Sequence, residues 1–110
     1  MNRTSFSCRA SSFWLISGVF SKTVRANKIQ ARELLVDCPE AREYLKRFSS
    51  RFHRIKIFWE NITIASDTII CPDRIYMVAY GEKDLSATEI RNPSLAQTQK
   101  VLFEELWKSF

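Results

Sequence analysis

Between Pro39 and Phe52 the apolar residues Ala41, Tyr44, Leu45, Phe48 and Phe52 follow the i, i+3, i+4, i+7, i+11 rhythm of one helix face. Glu40, Arg42, Glu43, Lys46, Arg47 and Arg51 take the positions between them. The spacing predicts an amphipathic helix from Pro39 to about Phe52, with proline in its first turn and the residue before it held extended. Glu43 and Arg47 form a favourable i,i+4 pair, acid first and base last. From Arg54 the period changes to two. Ile55 and Ile57 alternate with Arg54, Lys56 and Phe58, and Ile62 alternates with Ile64 after a turn at Glu60-Asn61.

The stretch Asp67 to Phe110 reads as a succession of strands, turns and a capped helix. Thr68–Cys71 and Arg74–Tyr80 are apolar runs either side of Pro72-Asp73, where proline supplies the fixed φ of a tight turn. Gly81–Asp84 makes the next turn, and Leu85–Arg91 returns as a strand. Asn92-Pro93 then caps a helix whose predicted core face is Leu95, Leu102, Phe103, Leu106 and Phe110. Trp107 and Phe110 read as core by default and as a dimer contact in the alternative. Upstream, Phe13–Ser17 reads as a buried strand. Lys28–Val36 satisfies neither period cleanly, and propensity by itself favours helix. This order of elements predicts an α/β (or α+β) fold, with a single mixed sheet and two or three packed helices.

A length of 110 residues with 45% hydrophobic content supports one core and not two ordinary domains. Residues 13–110 are expected to form that domain, after a serine- and arginine-rich disordered leader at 1–12. Phe13–Phe20 is too short to span a bilayer, and no small-residue cleavage site follows it, so no membrane partner is expected. Cys8, Cys38 and Cys71 include no CxxC pair, and His53 is the sole histidine. Neither a disulfide framework nor a zinc site is implied, and a cytoplasmic location follows. The sequons at Asn2 and Asn61 are read as accidental. With glycine only at positions 18 and 81, no phosphate-cradling loop exists, and nucleotide-dependent catalysis is not expected.

The net charge of +5 raises the possibility of a polyanionic partner. The densest basic run, Arg42, Lys46, Arg47, Arg51, Arg54 and Lys56, is the candidate nucleic-acid interface. A solvated helix face is its plainer explanation. Arg51-Phe52-His53-Arg54 and Phe58-Trp59 interleave bases with aromatics that could stack on a single strand, although half-buried strand aromatics explain them more simply.

Catalytic sets are wanting. His53 and Lys56 are spaced HxxK rather than the HxK of phospholipase D-type phosphodiesterases, so in a strand they point to opposite faces, and His53 reads as a surface residue. Cys38 starts a helix with no base nearby, and both it and Cys71 read as inert thiols. Asp67, Asp73, Asp84 and Glu89 fall around turns, without the spacing of an acid/base pair. The chain is not expected to be an enzyme.

From Asp67 onward, the hairpin strand Ile75–Tyr80, the strand Ala87–Ile90 and the helix Leu95–Trp107, closing on Phe103, Leu106 and Trp107, resemble the C-terminal phospholipase D-like effector domain of TrmB-type transcription regulators. The resemblance covers about residues 13–110 and implies a partial phospholipase D-like half. It makes Lys28–Val36 a strand ahead of the Pro39 helix. It also implies a non-catalytic regulatory, ligand-sensing or dimerisation domain that requires no metal or organic cofactor, as a homodimer or with a partner regulator, and with a small-molecule ligand as a possibility. The family sets a winged helix-turn-helix in front, whereas about a dozen polar residues precede the first expected strand here. DNA binding is therefore not carried over. The alternative from another class is a small basic nucleic-acid-binding protein using the Arg42 to Lys56 run.

Overall fold

The computed structural model describes residues 2–5, 22–23, 25–27, 29–57, 66–80 and 85–110. Its strands are β1 (Asn2–Ser5), β2 (Ala31–Leu35), β3 (His53–Ile57), β4 (Ser66–Ile70), β5 (Arg74–Tyr80) and β6 (Leu85–Arg91). Helix α1 (Pro39–Phe48) and helix α2 (Pro93–Lys108) pack on the sheet, and residues 22–23 and 25–27 are also helical. The strands form one mixed sheet in the order β3-β2-β1-β4-β5-β6. The β1-β2-β3 part is parallel and the β1-β4-β5-β6 part antiparallel. The expected fold class, a mixed sheet with packed helices, is what the chain adopts.

Local chemistry explains most of the elements. Proline opens both helices. Cys38 Sγ accepts from the Ala41 amide at 3.4 Å before α1, and Asn92 Oδ1 accepts from the Leu95 amide at 3.1 Å before α2. The Pro72-Asp73 turn joins β4 to β5 as a hairpin, closed by the Cys71 amide donating to the Arg74 carbonyl at 2.9 Å. Lys28–Val36 contains β2, as the family resemblance implies and against helix propensity. Helix α1 ends at Phe48, one turn before the expected Phe52, whose side chain is 51% exposed.

The leader expected at 1–12 is corrected for Asn2–Ser5. These residues form the strand between β2 and β4, in register Asn2↔Arg32 on one side and Asn2↔Ile70 on the other. They carry no apolar run, and their ordering comes from backbone hydrogen bonds to strands on both sides. The strand expected at Phe13–Ser17, the alternation at Ile62 and Ile64, and the turns at Glu60-Asn61 and Gly81–Asp84 lie outside the described residues.

The two sheet faces carry separate cores. On one, Leu35 and Ile55 pack with Ala41 and Tyr44 of α1, flanked by Leu45, Phe48 and Ile57. On the other, Leu34 and Ile70 pack with Phe103 and Trp107 of α2. Burying a Leu or Ile side chain is worth about 1.5–3 kcal/mol, so each helix is held by a few such contacts. Strand alternation therefore puts Ala31, Glu33, Leu35, His53, Ile55 and Ile57 on the α1 face. Arg32, Leu34, Arg54 and Lys56 lie on the α2 face.

Candidate functional site

That alternation divides the basic run. Arg42, Lys46 and Arg47 stand on α1, where Arg42 grips Asp37 through two 2.7 Å hydrogen bonds and Arg47 lies 3.8 Å from Glu43. Arg54 and Lys56 point to the opposite face, beside α2, and Arg51 precedes them in the loop after α1. The six residues thus form two groups on opposite sides of the sheet. The second group gains cations that sequence proximity did not indicate.

Arg51 and Arg54 line an open cleft of about 500 Å³ with Arg32 of β2, Lys100 and Glu104 of α2, and the exposed ring of Phe52. An adjoining hollow of about 420 Å³ shares Arg51 and Arg54 and reaches Lys56 and Trp107. Arg32 is held by Glu104 through a two-pronged salt bridge, one prong at 2.9 Å. The Arg32 guanidinium keeps the Glu104 carboxyl below the usual glutamate range. Among the described residues, neither Arg51 nor Arg54 has a carboxylate within ion-pair reach. Lys56 instead serves the fold, since its ammonium donates to the Trp107 and Phe110 backbone oxygens at 3.0 and 3.1 Å and so satisfies the C-terminal end of α2. Arg32, Arg54 and Lys56 all lie over the Trp107 ring, at 5.5, 5.8 and 4.4 Å.

His53 is buried, which corrects the surface reading. Its Nε2 shares a 2.8 Å hydrogen bond with Glu33 Oε2 on the neighbouring strand, and its ring meets Tyr44 of α1 edge-on at 6.0 Å. Glu33 and Asp67 are fully buried on the same sheet face. With His53 inward and Lys56 on the far face, the two do not converge, as their spacing predicted. Cys38 is disulfide-bonded, which corrects its reading as an inert thiol and the expectation that the cysteines form no disulfide. Burial pushes the Cys71 thiol pKa up, away from nucleophilic reactivity. Among the described residues no cluster of His, Cys, Asp and Glu is arranged to hold a metal ion. No helix there is long and apolar enough to cross a membrane.

Helix α2 shows a further feature. The sheet buries Ala96, Phe103 and Trp107, one position out of phase with the expected face. Of that face only Phe103 is buried and Phe110 partly so, while Leu95, Leu102 and Leu106 are 49%, 57% and 37% exposed. Thr68, Ile70 and Gln99 share a shallow hollow of about 130 Å³ with Leu102 and Leu106, and Met77 of β5 is also exposed.

No family model, curated protein or solved structure matches the chain.

Proposed function

We propose that the chain is a non-catalytic regulatory or dimerisation domain, similar to the effector part of a TrmB-type regulator, and that two copies associate through α2. The exposed row Leu95, Leu102 and Leu106 carries this reading. Spacings of seven and four residues place the three leucines on one side of the helix, where a second α2 can interleave with them. Of the flanking positions, exposed Thr98 and half-buried Gln99 are uncharged, and exposed Glu105, next to Leu106, is paired with Lys108 at 3.3 Å. The leucine row itself therefore carries no charge, although the chain as a whole carries +5, and the Glu105–Lys108 pair at its edge is neutral in sum. A hairpin, a strand and an Asn-Pro-capped helix at the positions named for the family lend support to the resemblance. A protein partner regulator is the heterologous form of the same reading.

Light scattering across a concentration series tests it. A dimer is expected for the natural chain, and a monomer of unchanged circular dichroism for Leu102→Asp with Leu106→Asp. A natural chain that stays monomeric at every concentration would sink the proposal.

A further inference from the structure

We propose that the cleft formed by Arg32, Arg51, Arg54 and Lys100 is a binding site for single-stranded nucleic acid, with Phe52 as the platform for a base. The cleft is separate from the self-association surface, which uses the other side of α2.

The residues come from four places in the chain, and the fold brings them together. Arg51 and Phe52 lie in the loop after α1, Arg54 on β3, Arg32 on β2 and Lys100 on α2. Four cations thus line a concavity in which, among the described residues, Glu104 is the sole acid, and Glu104 is already committed to Arg32. The surplus positive charge falls on Arg51, Arg54 and Lys100. Both arginines are exposed, and among the described residues they meet aromatic rings rather than carboxylates: Arg51 lies over Phe52 at 4.8 Å, and Arg54 over Trp107 at 5.8 Å. A guanidinium beside a ring still presents its N–H edge to a phosphate, and gives a base two planes to stack against. The 420 Å³ hollow sharing Arg51 and Arg54 extends the concavity toward Lys56, which suits a chain of phosphates better than a single one.

Three features favour a single strand over a duplex. The cations line a recess and not a convex ridge, so a flexible backbone must enter to reach them. Phe52 is 51% exposed, and a ring of that kind gains from a base only if the base is unstacked from its own neighbours. Finally, α1 and α2 both lie against the sheet, and neither projects as a reader of a major groove.

The test is fluorescence anisotropy of labelled oligothymidine and oligouridine, titrated with the full chain at two salt concentrations. Binding is expected to weaken as salt rises. Arg51→Ala with Arg54→Ala should lower affinity at least tenfold and flatten the log–log salt slope by about 1.4, at roughly 0.7 for each phosphate no longer neutralised. Phe52→Ala should cost about tenfold with the salt slope unchanged, because stacking releases no counterions. Lys46→Ala with Arg47→Ala removes the same charge from the opposite face and should leave affinity unaltered. Glu104→Gln should bind more tightly, a gain that no folding defect can imitate.

The proposal is overturned if neither oligonucleotide binds at the lower salt, or if both double variants weaken binding equally, which would indicate net charge alone. It is also overturned if a duplex or an oligoglutamate of equal length binds as well as the single strands. Each variant is checked by circular dichroism and thermal midpoint. Failure here would leave the self-association reading standing, because that is measured by mass and not by binding.

Discussion

The polar residues under α1 show how a single side chain can be tied to the fold rather than to chemistry. His53 is 5% exposed and Glu33 fully buried, on adjacent strands, and their 2.8 Å hydrogen bond crosses the sheet diagonally, from His53 opposite Ala31 to Glu33 opposite Ile55. Removing one partner leaves the other's polar atom short of a bond in a place water does not reach. Glu33→Ala should therefore cost about 1–3 kcal/mol, more than a truncation on the exposed side of α1 such as Lys46→Ala. Urea unfolding of the two variants would measure the difference, and equal midpoints would show the bond to be energetically idle. Nothing in the sequence announced this pair, because the two residues lie twenty apart and acquire a common neighbourhood only through strand register. The local signals at Pro39, Asn92 and Pro93 were legible because capping depends on residues within one turn of each other.

At the scale of elements, the contrast between the helices is informative. The face of α1 was readable over Ala41, Tyr44, Leu45 and Phe48, since charged residues fill its other side and leave one choice of phase. Helix α2 carries two apolar rows one position apart, Leu95-Leu102-Leu106 and Ala96-Phe103-Trp107, with identical spacing. Periodicity cannot choose between them. The sheet selects the second, with small Ala96 at one end and the large rings of Phe103 and Trp107 over Leu34 and Ile70. The Arg32–Glu104 bridge then straps β2 to α2. Because the folded chain holds the Glu104 pKa below its unfolded value, the bridge contributes fully above the ordinary glutamate pKa of about 4.3 and is lost as pH falls through the folded value. Stability should therefore decline on acidification below that range, and Glu104→Gln should flatten this part of the decline. Thermal midpoints for both chains between neutral and acidic pH would show it. Parallel curves would mean that solvent screens the bridge completely, as it can for a carboxylate one-third exposed.

Across the whole molecule, the seam is β1. The parallel pair β2 and β3 lies on one side of it and the antiparallel run β4, β5 and β6 on the other, and Thr4 stands in register with Leu34 on one flank and Thr68 on the other. Helix α2 bridges the same seam, because its buried rings touch Leu34 of β2 and Ile70 of β4 together. The sheet and the helix thus depend on each other: if β1 detaches, Leu34 and Ile70 lose the spacing that seats Phe103 and Trp107. The basic cleft depends on both, since Arg32 and Arg54 come from the parallel side and Lys100 from the helix. Thr4→Pro removes the Thr4 amide donor and forces a ring into a strand flanked on both sides, a change worth about 3 kcal/mol or more. Thr4→Val keeps the amide and a β-branched side chain, and serves as the control. Thr4→Pro should unfold at markedly lower denaturant in a single transition, with loss of far-ultraviolet strand signal and Trp107 burial together. If Thr4→Pro unfolded like Thr4→Val, β1 would not be what joins the halves. Two separated transitions would instead mean that α2 and the antiparallel strands hold together without the parallel pair, and the cleft, which needs both sides, would open in the first of them.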